Sequence, residues 1–206
     1  MNAVKLWKGV IMKLTIGFGS ASQEISIDDN LVIDILKANE VEIGLKGVDE
    51  IKRSLKNPIG TARLKNIVKP GEKVVIVTSD ITRPLPSNII MPSLLEELHD
   101  AGVNKKDIVI VFALGSHRVH TDEEKIRLVG EKIYNEITCI DSDVNDCVRM
   151  GVTKAGTPVD IFRTVAEADR RICVGNIEYH YFAGYSGGAK AIMPWLCLTV
   201  VLHCLL

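Results

Sequence analysis

Val74-Val75-Ile76-Val77-Thr78-Ser79-Asp80-Ile81-Thr82-Arg83-Pro84 is the stretch whose reading decides the fold. Its first four residues are β-branched and lack polar alternation, as expected of a strand buried on both faces. Two further runs, Ile108 to Phe112 and Ile172 to Val174, have the same character. Between the first two lies Ser93-Leu94-Leu95-Glu96-Glu97-Leu98-His99-Asp100-Ala101-Gly102, an amphipathic helix with a glycine stop. That arrangement makes a βαβ unit with parallel strands. After the second run, Thr121-Asp122-Glu123-Glu124 has the spacing in which a hydroxyl and a carboxylate satisfy the first free helix amides, so another helix starts there. With no internal repeat, low-complexity tract or linker, the economical architecture is a doubly wound α/β sheet of open strand order.

Upstream, Lys13 to Ile27 alternates around Gly17-Phe18-Gly19-Ser20 and reads as a β-hairpin. A polar, helix-permissive stretch follows through Lys65, broken by Pro58-Ile59-Gly60, and Lys69-Pro70-Gly71 turns the chain into the first buried strand. Met1 to Thr15 carries lysines among apolar residues without a cleavage site, so secretion is not expected. Leu196 to Leu206 is uncharged but shorter than the roughly 20 residues a membrane-spanning helix needs.

The 206 residues, 47% hydrophobic, suffice for one substantial core or one domain and a piece of a second. Lys and Arg number 25 against 26 Asp and Glu. The net charge of -1 gives no footprint for nucleic acid or an anionic membrane, and neither is expected as a partner. Cys139, Cys147, Cys173, Cys197 and Cys204 are odd in number and form no C-x-x-C pair. That argues against a disulfide framework or a zinc site and fits a reducing cytoplasm.

Ligands of open parallel sheets sit beyond the carboxyl ends of the strands, so reactive side chains should follow strands. After the first run come Asp80 and Arg83, stiffened by Pro84. Arg83 could hold a carboxylate through two parallel hydrogen bonds, and the same residues could also be an ordinary Asp–Arg loop pair; position favours function. After the second run, Gly115-Ser116-His117-Arg118-Val119-His120 places two histidines before a capped helix. His117, next to the strand exit, is the better candidate for chemistry. His120 reads as support for the cap, and His99 as a surface residue of a helix.

After the third run, Gly184-Tyr185-Ser186-Gly187-Gly188-Ala189-Lys190 lets the backbone approach a ligand. A helix beginning near Gly187 would offer amides to phosphate. Lys190 in its first turn would feel the positive end of the dipole, which favours a neutral, nucleophilic amine. A glycine-rich turn with a solvated lysine is the rival reading, and the Walker spacing is absent.

In this order, Ser-Asp-Ile-Thr-Arg-Pro at 79 to 84, Gly-Ser-His-Arg at 115 to 118, and the segment Gly175-Asn176-Ile177-Glu178-Tyr179-His180-Tyr181 running on to Lys190 resemble the amino-terminal half of the nickel-dependent lactate racemase family. The resemblance covers nearly all of Met12 to Pro194. It implies a doubly wound, Rossmann-like domain and a nickel pincer nucleotide: a nicotinate-derived ring with two sulfur-containing groups, tethered through a thioamide to the lysine that Lys190 matches. The implied reaction is a hidden hydride transfer, in which the substrate C2 hydride leaves a planar keto acid and returns to either face. His117 and His180 match the acid/base pair, and Arg83 a holder of the substrate carboxylate. Asp80 belongs by resemblance to the nucleotide-binding loop, with Ser186, Gly187 and Gly188 along the phosphate. The implied partners are a small 2-hydroxy acid and cofactor-synthesis proteins.

After Met193-Pro194 the family continues into a polar helix containing a nickel-ligating histidine. This chain instead reads Trp195-Leu196-Cys197-Leu198-Thr199-Val200-Val201-Leu202-His203-Cys204-Leu205-Leu206. Residues 1–194 are therefore expected to be the catalytic amino-terminal domain and residues 195–206 an atypical apolar tail, whether from a shifted reading frame or a natural variant end. The second family domain is expected to be absent. His203, Cys197 and Cys204 are not assigned as ligands, and no metal ligand is named. The leading expectation is a racemase or epimerase of a 2-hydroxy acid, lactate by default; the alternative is a truncated, non-catalytic cofactor- or nucleotide-binding fragment.

Overall fold

The computed structural model describes residues 11–180 and 184–193. The chain divides into two compact units, Met1–Gly44 and Leu45–Leu206. In the first, strands β1 (Ile11–Phe18) and β2 (Ala21–Asp28) pair antiparallel from Ile11↔Asp28 to Phe18↔Ala21. The pairing leaves Gly19-Ser20 as a two-residue turn. Gly19 takes a φ of 59°, while among the described residues no non-glycine residue has positive φ. That is the demand of a turn with glycine at its first central position, and it bears out the predicted hairpin.

The second unit begins with helices α1 (Val48–Lys56) and α2 (Leu64–Ile67), separated by the proline break. Then follow β3 (Val74–Ser79), α3 (Ser87–Asp100), β4 (Ile108–Ala113), α4 (Asp122–Val129), α5 (Glu131–Glu136) and β5 (Thr138–Asp141). An antiparallel pair, β6 (Cys147–Val152) with β7 (Pro158–Phe162), and a short α6 (Arg163–Ala166) lead to β8 (Arg170–Val174). The sheet runs β5-β4-β3-β8, every pairing parallel.

Both faces of this sheet are covered, which is why its strands read as unbroken apolar runs. Val74, Ile76, Ile110 and Phe112 pack under Met91, Leu94 and Leu98 of α3, Leu128 and Val129 of α4, and Ile133 of α5. The alternate residues Val75, Val77, Val111 and Ala113 face Ile161, Phe162, Val165 and Ala168. The α/β architecture with a parallel sheet and an amino-terminal hairpin is thus as expected.

Two local readings meet different fates. Both bonds of the predicted capping box form: Glu124 N–H donates to Thr121 Oγ1 at 3.3 Å and Thr121 N–H to Glu124 Oε2 at 3.0 Å. Helix α3, however, starts at Ser87, six residues before the predicted Ser93, and carries Pro92 inside it. Proline deprives the Asn88 carbonyl of its helical donor. Asn88 and Pro92 are both exposed, so that carbonyl is free to turn to solvent and the helix continues through the proline.

Candidate functional site

The chain runs from β3 through β4 to β5 and then returns to the opposite edge of β3 with β8. Strand order reverses between β3 and β8, the place where open parallel sheets hold ligands beyond their carboxyl ends. A cleft lies there, lined by Ser79 at the end of β3, Asp80 and Arg83 after it, Leu114 and His117 after β4, and Asn176, Ser186 and Gly187 after β8.

The first wall is built on buried polar bonds. Asp80 is 3% exposed, and its Oδ1 accepts from Thr82 Oγ1 at 2.8 Å and Thr82 N–H at 3.3 Å. Its Oδ2 bonds His117 Nδ1. The tight turn that presents His117, with its N–H on the Leu114 carbonyl at 3.0 Å, uses Gly115 at a φ of 60°. Asp80 therefore orients an imidazole that is 39% exposed, leaving Nε2 as the ring nitrogen not engaged by the carboxylate.

His120, read from sequence as support for the helix cap, lies deeper. Its Nδ1 meets Asp141 Oδ1 at 2.6 Å, its Nε2 accepts Ile81 N–H at 3.1 Å, and its ring sits edge-on to Phe112. Asp141, at the end of β5, also accepts the His120 N–H at 2.9 Å and lies 3.4 Å from Lys125 Nζ.

The second wall follows β8. Ser186 Oγ donates to the Asn176 carbonyl at 2.9 Å and accepts Glu178 N–H at 2.9 Å, so it clips the loop to itself. Its one O–H is committed within the loop rather than offered to a ligand. Gly187 has a φ of 86°, and a Cβ there would stand 2.9 Å from the Asn176 carbonyl oxygen, so only glycine allows this approach. Gly188, at a φ of 57°, faces open space and is not among the residues lining the cleft.

Strand β9 (Tyr179–His180) pairs with β10 (Gly184–Tyr185), with His180 opposite Gly184. Arg83 Nη1 lies 3.7 Å from Glu178 Oε1, a carboxylate the sequence reading quoted but gave no role. Its position in the segment that supplies His180 is the signal that was available. Burial, then the charges of Lys190 and Arg83, push the His180 imidazole below its ordinary range, with Glu178 opposing.

The expected helix near Gly187 is, among the described residues, one four-residue 3-10 turn, Gly188–Ala191. Too few peptide dipoles align there for the predicted helix-end effect on Lys190 or on a phosphate. The Lys190 amine is nevertheless pushed below the usual ammonium range. Burial is the main cause and the Arg83 charge the second, with Glu178 opposing. The direction agrees with expectation, and the cause differs.

Among the described residues no group of three or more His, Cys, Asp and Glu is placed to hold a metal ion, and no helix is long and apolar enough to cross a membrane. Cys197, His203 and Cys204 lie outside the described residues.

A family model of the lactate racemase N-terminal domain matches residues 18–201. The chain belongs to that family. The chain is 34% identical over 186 residues to the lactate racemase of Thermoanaerobacterium thermosaccharolyticum, covering 88% of this chain and 43% of that protein. It is 38% identical over 149 residues to the lactate racemase of Lactiplantibacillus plantarum, covering 71% of this chain and 35% of that protein. The chain spans less than half the length of these curated relatives. The structure of the lactate racemase apoprotein from T. thermosaccharolyticum superposes with a TM-score of 0.80 at 32% identity, over 91% of this chain and 44% of that one. A crystal structure of a Thermotoga maritima protein, with a TM-score of 0.59 at 21% identity over 75% of this chain and 39% of that one, shares the fold.

Proposed function

We propose that this domain supplies the cofactor-bearing half of a racemase acting on a 2-hydroxy acid, lactate being the default substrate. The observation that carries the reading is convergence: Asp80, Arg83 and His117 share one cleft with Ser186 and Gly187, while His180 and Lys190 both feel the Arg83 charge. The residues fit a lysine-tethered nickel pincer nucleotide. Lys190 Nζ is shielded from solvent and held towards the neutral amine that covalent attachment requires. Gly187, also on the cleft, lets the loop that carries Lys190 fold back against the Asn176 carbonyl. Lys190 would hold the group, with Ser186, Gly187 and Gly188 in the loop around it and Asp80 on the facing wall.

When bound, the group supplies an acceptor for the hydride at substrate C2. The chain's own residues do the rest. Arg83 exchanges Glu178 for the substrate carboxylate. His117, held through Nδ1 by Asp80, and His180, kept neutral by burial and neighbouring cations, each serve the hydroxyl proton of one enantiomer. A racemase needs one such group for each hand of its substrate. Proteins that synthesise the cofactor are the implied partners.

Co-expression of the protein with cofactor-making proteins, followed by intact-mass and peptide analysis, tests the reading. A covalent adduct on the Lys190 peptide, lost in Lys190→Ala, is expected, as is interconversion of D- and L-lactate that His117→Ala and His180→Ala each abolish in both directions. A folded chain without adduct would sink it. Adduct without turnover would favour the second reading, a cofactor-binding part without activity of its own.

A further inference from the structure

Behind the cleft lies an imidazole to which the proposed chemistry gives no part. The His120 side chain is 1% exposed, and both ring nitrogens are engaged, Nδ1 by Asp141 and Nε2 by the Ile81 N–H. A backbone N–H can only donate, so Nε2 is unprotonated and Nδ1 carries the ring proton. The ring thus bridges the exits of three adjacent strands: Ile81 follows β3, His120 follows β4 and Asp141 ends β5.

We infer that His120, oriented by Asp141, is a positioning residue for the Asp80–His117 pair. Ile81 is the chain neighbour of Asp80, and His120 stands three residues beyond His117. Both ends of the Asp80–His117 contact therefore belong to backbone segments pinned by one ring. Helix capping does not explain the arrangement, because Thr121 and Glu124 close the capping box without the His120 side chain. Packing does not explain it either. The edge contact with Phe112 would be met by an apolar ring, whereas burying a ring with an acceptor and a donor requires partners for both.

The inference rests on the reading of His117 as an acid/base group, but its test reads geometry rather than turnover. Glutamine at position 120 places a carbonyl oxygen near the site of Nε2 and can accept Ile81 N–H. Asparagine places an amide N–H near the site of Nδ1 and keeps Asp141, but loses Ile81. In the ¹⁵N-histidine-labelled chain, His120→Gln is expected to leave the His117 ring resonances unchanged. His120→Asn is expected to move them to the positions found in Asp80→Asn, which marks loss of the contact.

A folded His120→Asn with unchanged His117 resonances would overturn the inference, as would His120→Gln losing them completely. If the asparagine variant does not fold, the wild-type spectrum decides with the glutamine variant. An unprotonated His120 Nε2 supports the bridge, and a protonated one overturns it. In the cofactor-loaded protein, kcat is expected to fall at least about tenfold in His120→Asn with little change in KM, and to stay near wild type in His120→Gln. Racemisation that survives His117→Ala, with the spectra behaving as described, would remove the acid/base reading and leave the positioning intact.

Discussion

The two walls of the cleft are made by different physics. After β3, β4 and β5 the loops are joined by buried side-chain bonds, Asp80 to His117 and Thr82, and His120 to Asp141 and Ile81. After β8 the loop is shaped by glycine, one serine clip and half-buried charges, Arg83 with Glu178 reaching across to it. Buried polar networks hold a geometry rigidly, because a group that loses its partner has no water to turn to. A glycine-shaped loop with half-buried charges gives way at lower energy. In the proposed racemase, one wall would orient a proton acceptor and the other would take up the covalent guest.

Substitutions of graded severity can break or sharpen this contrast. Asp141→Ala strands the His120 ring N–H, the His120 backbone N–H and the Lys125 ammonium together, and should destabilise the domain by about 3–5 kcal/mol in urea titration. Gly187→Ala forces a side chain into a left-handed backbone against the Asn176 carbonyl, and a loss of about 2 kcal/mol is expected in the same measurement. Ser186→Ala removes the clip from a half-buried loop and should lose about 1 kcal/mol. If Ser186→Ala proved as damaging as Asp141→Ala, the two walls would not differ as described.

The smallest effect belongs to Glu178→Gln. Its partly exposed pairing with Arg83 contributes under about 1 kcal/mol. Its charge nonetheless opposes the downward shifts of His180 and Lys190, so its loss should lower both titrations further, as read by NMR. The sign for stability follows. A cationic group with a depressed folded pKa leaves the unfolded chain to bind the proton first. Stability is therefore full above the ordinary imidazole range and falls as the pH drops through it towards the folded value. Glu178→Gln should deepen that loss on acidification, and His180→Phe should remove it.

How much of this could be read from the chain alone varies with the range of the forces involved. Buried runs such as Val74 to Val77, the Thr121–Glu124 capping box and the Gly19-Ser20 turn are local, and sequence carries them. The turn of α3 before Ser93 is not legible, because Pro92 interrupts the helical pattern and only the exposure of Asn88 and Pro92 makes it tolerable within the helix. The neighbourhood of β3 and β8 and the antiparallel β6–β7 pair are matters of topology, without local spacing to announce them. Among site residues, Asp80, Arg83, His117 and Lys190 stood out by type and by position after strands. His120 was undervalued because its importance comes from Asp141, 21 residues away, and Ile81, 39 residues away. The lowered basicity of Lys190 was anticipated from a dipole that a single 3-10 turn does not supply, while burial, its main cause, leaves no mark in a sequence.

The position of β8 also has a consequence in time. Of the four sheet strands it is the last to be synthesised, yet it pairs with the first; the Lys73–Asp169 bond at the base of that pairing spans 96 residues. Closing so long a loop costs more chain entropy than joining β3 to β4 or β4 to β5, so the wall that carries His117 and His120 has the means to assemble while the wall that carries His180 and Lys190 is still unformed. Any chemistry that needs both walls around Lys190 then becomes a step that follows folding, and a chain stalled before β8 docks would present Lys190 as an ordinary solvated ammonium with no site around it.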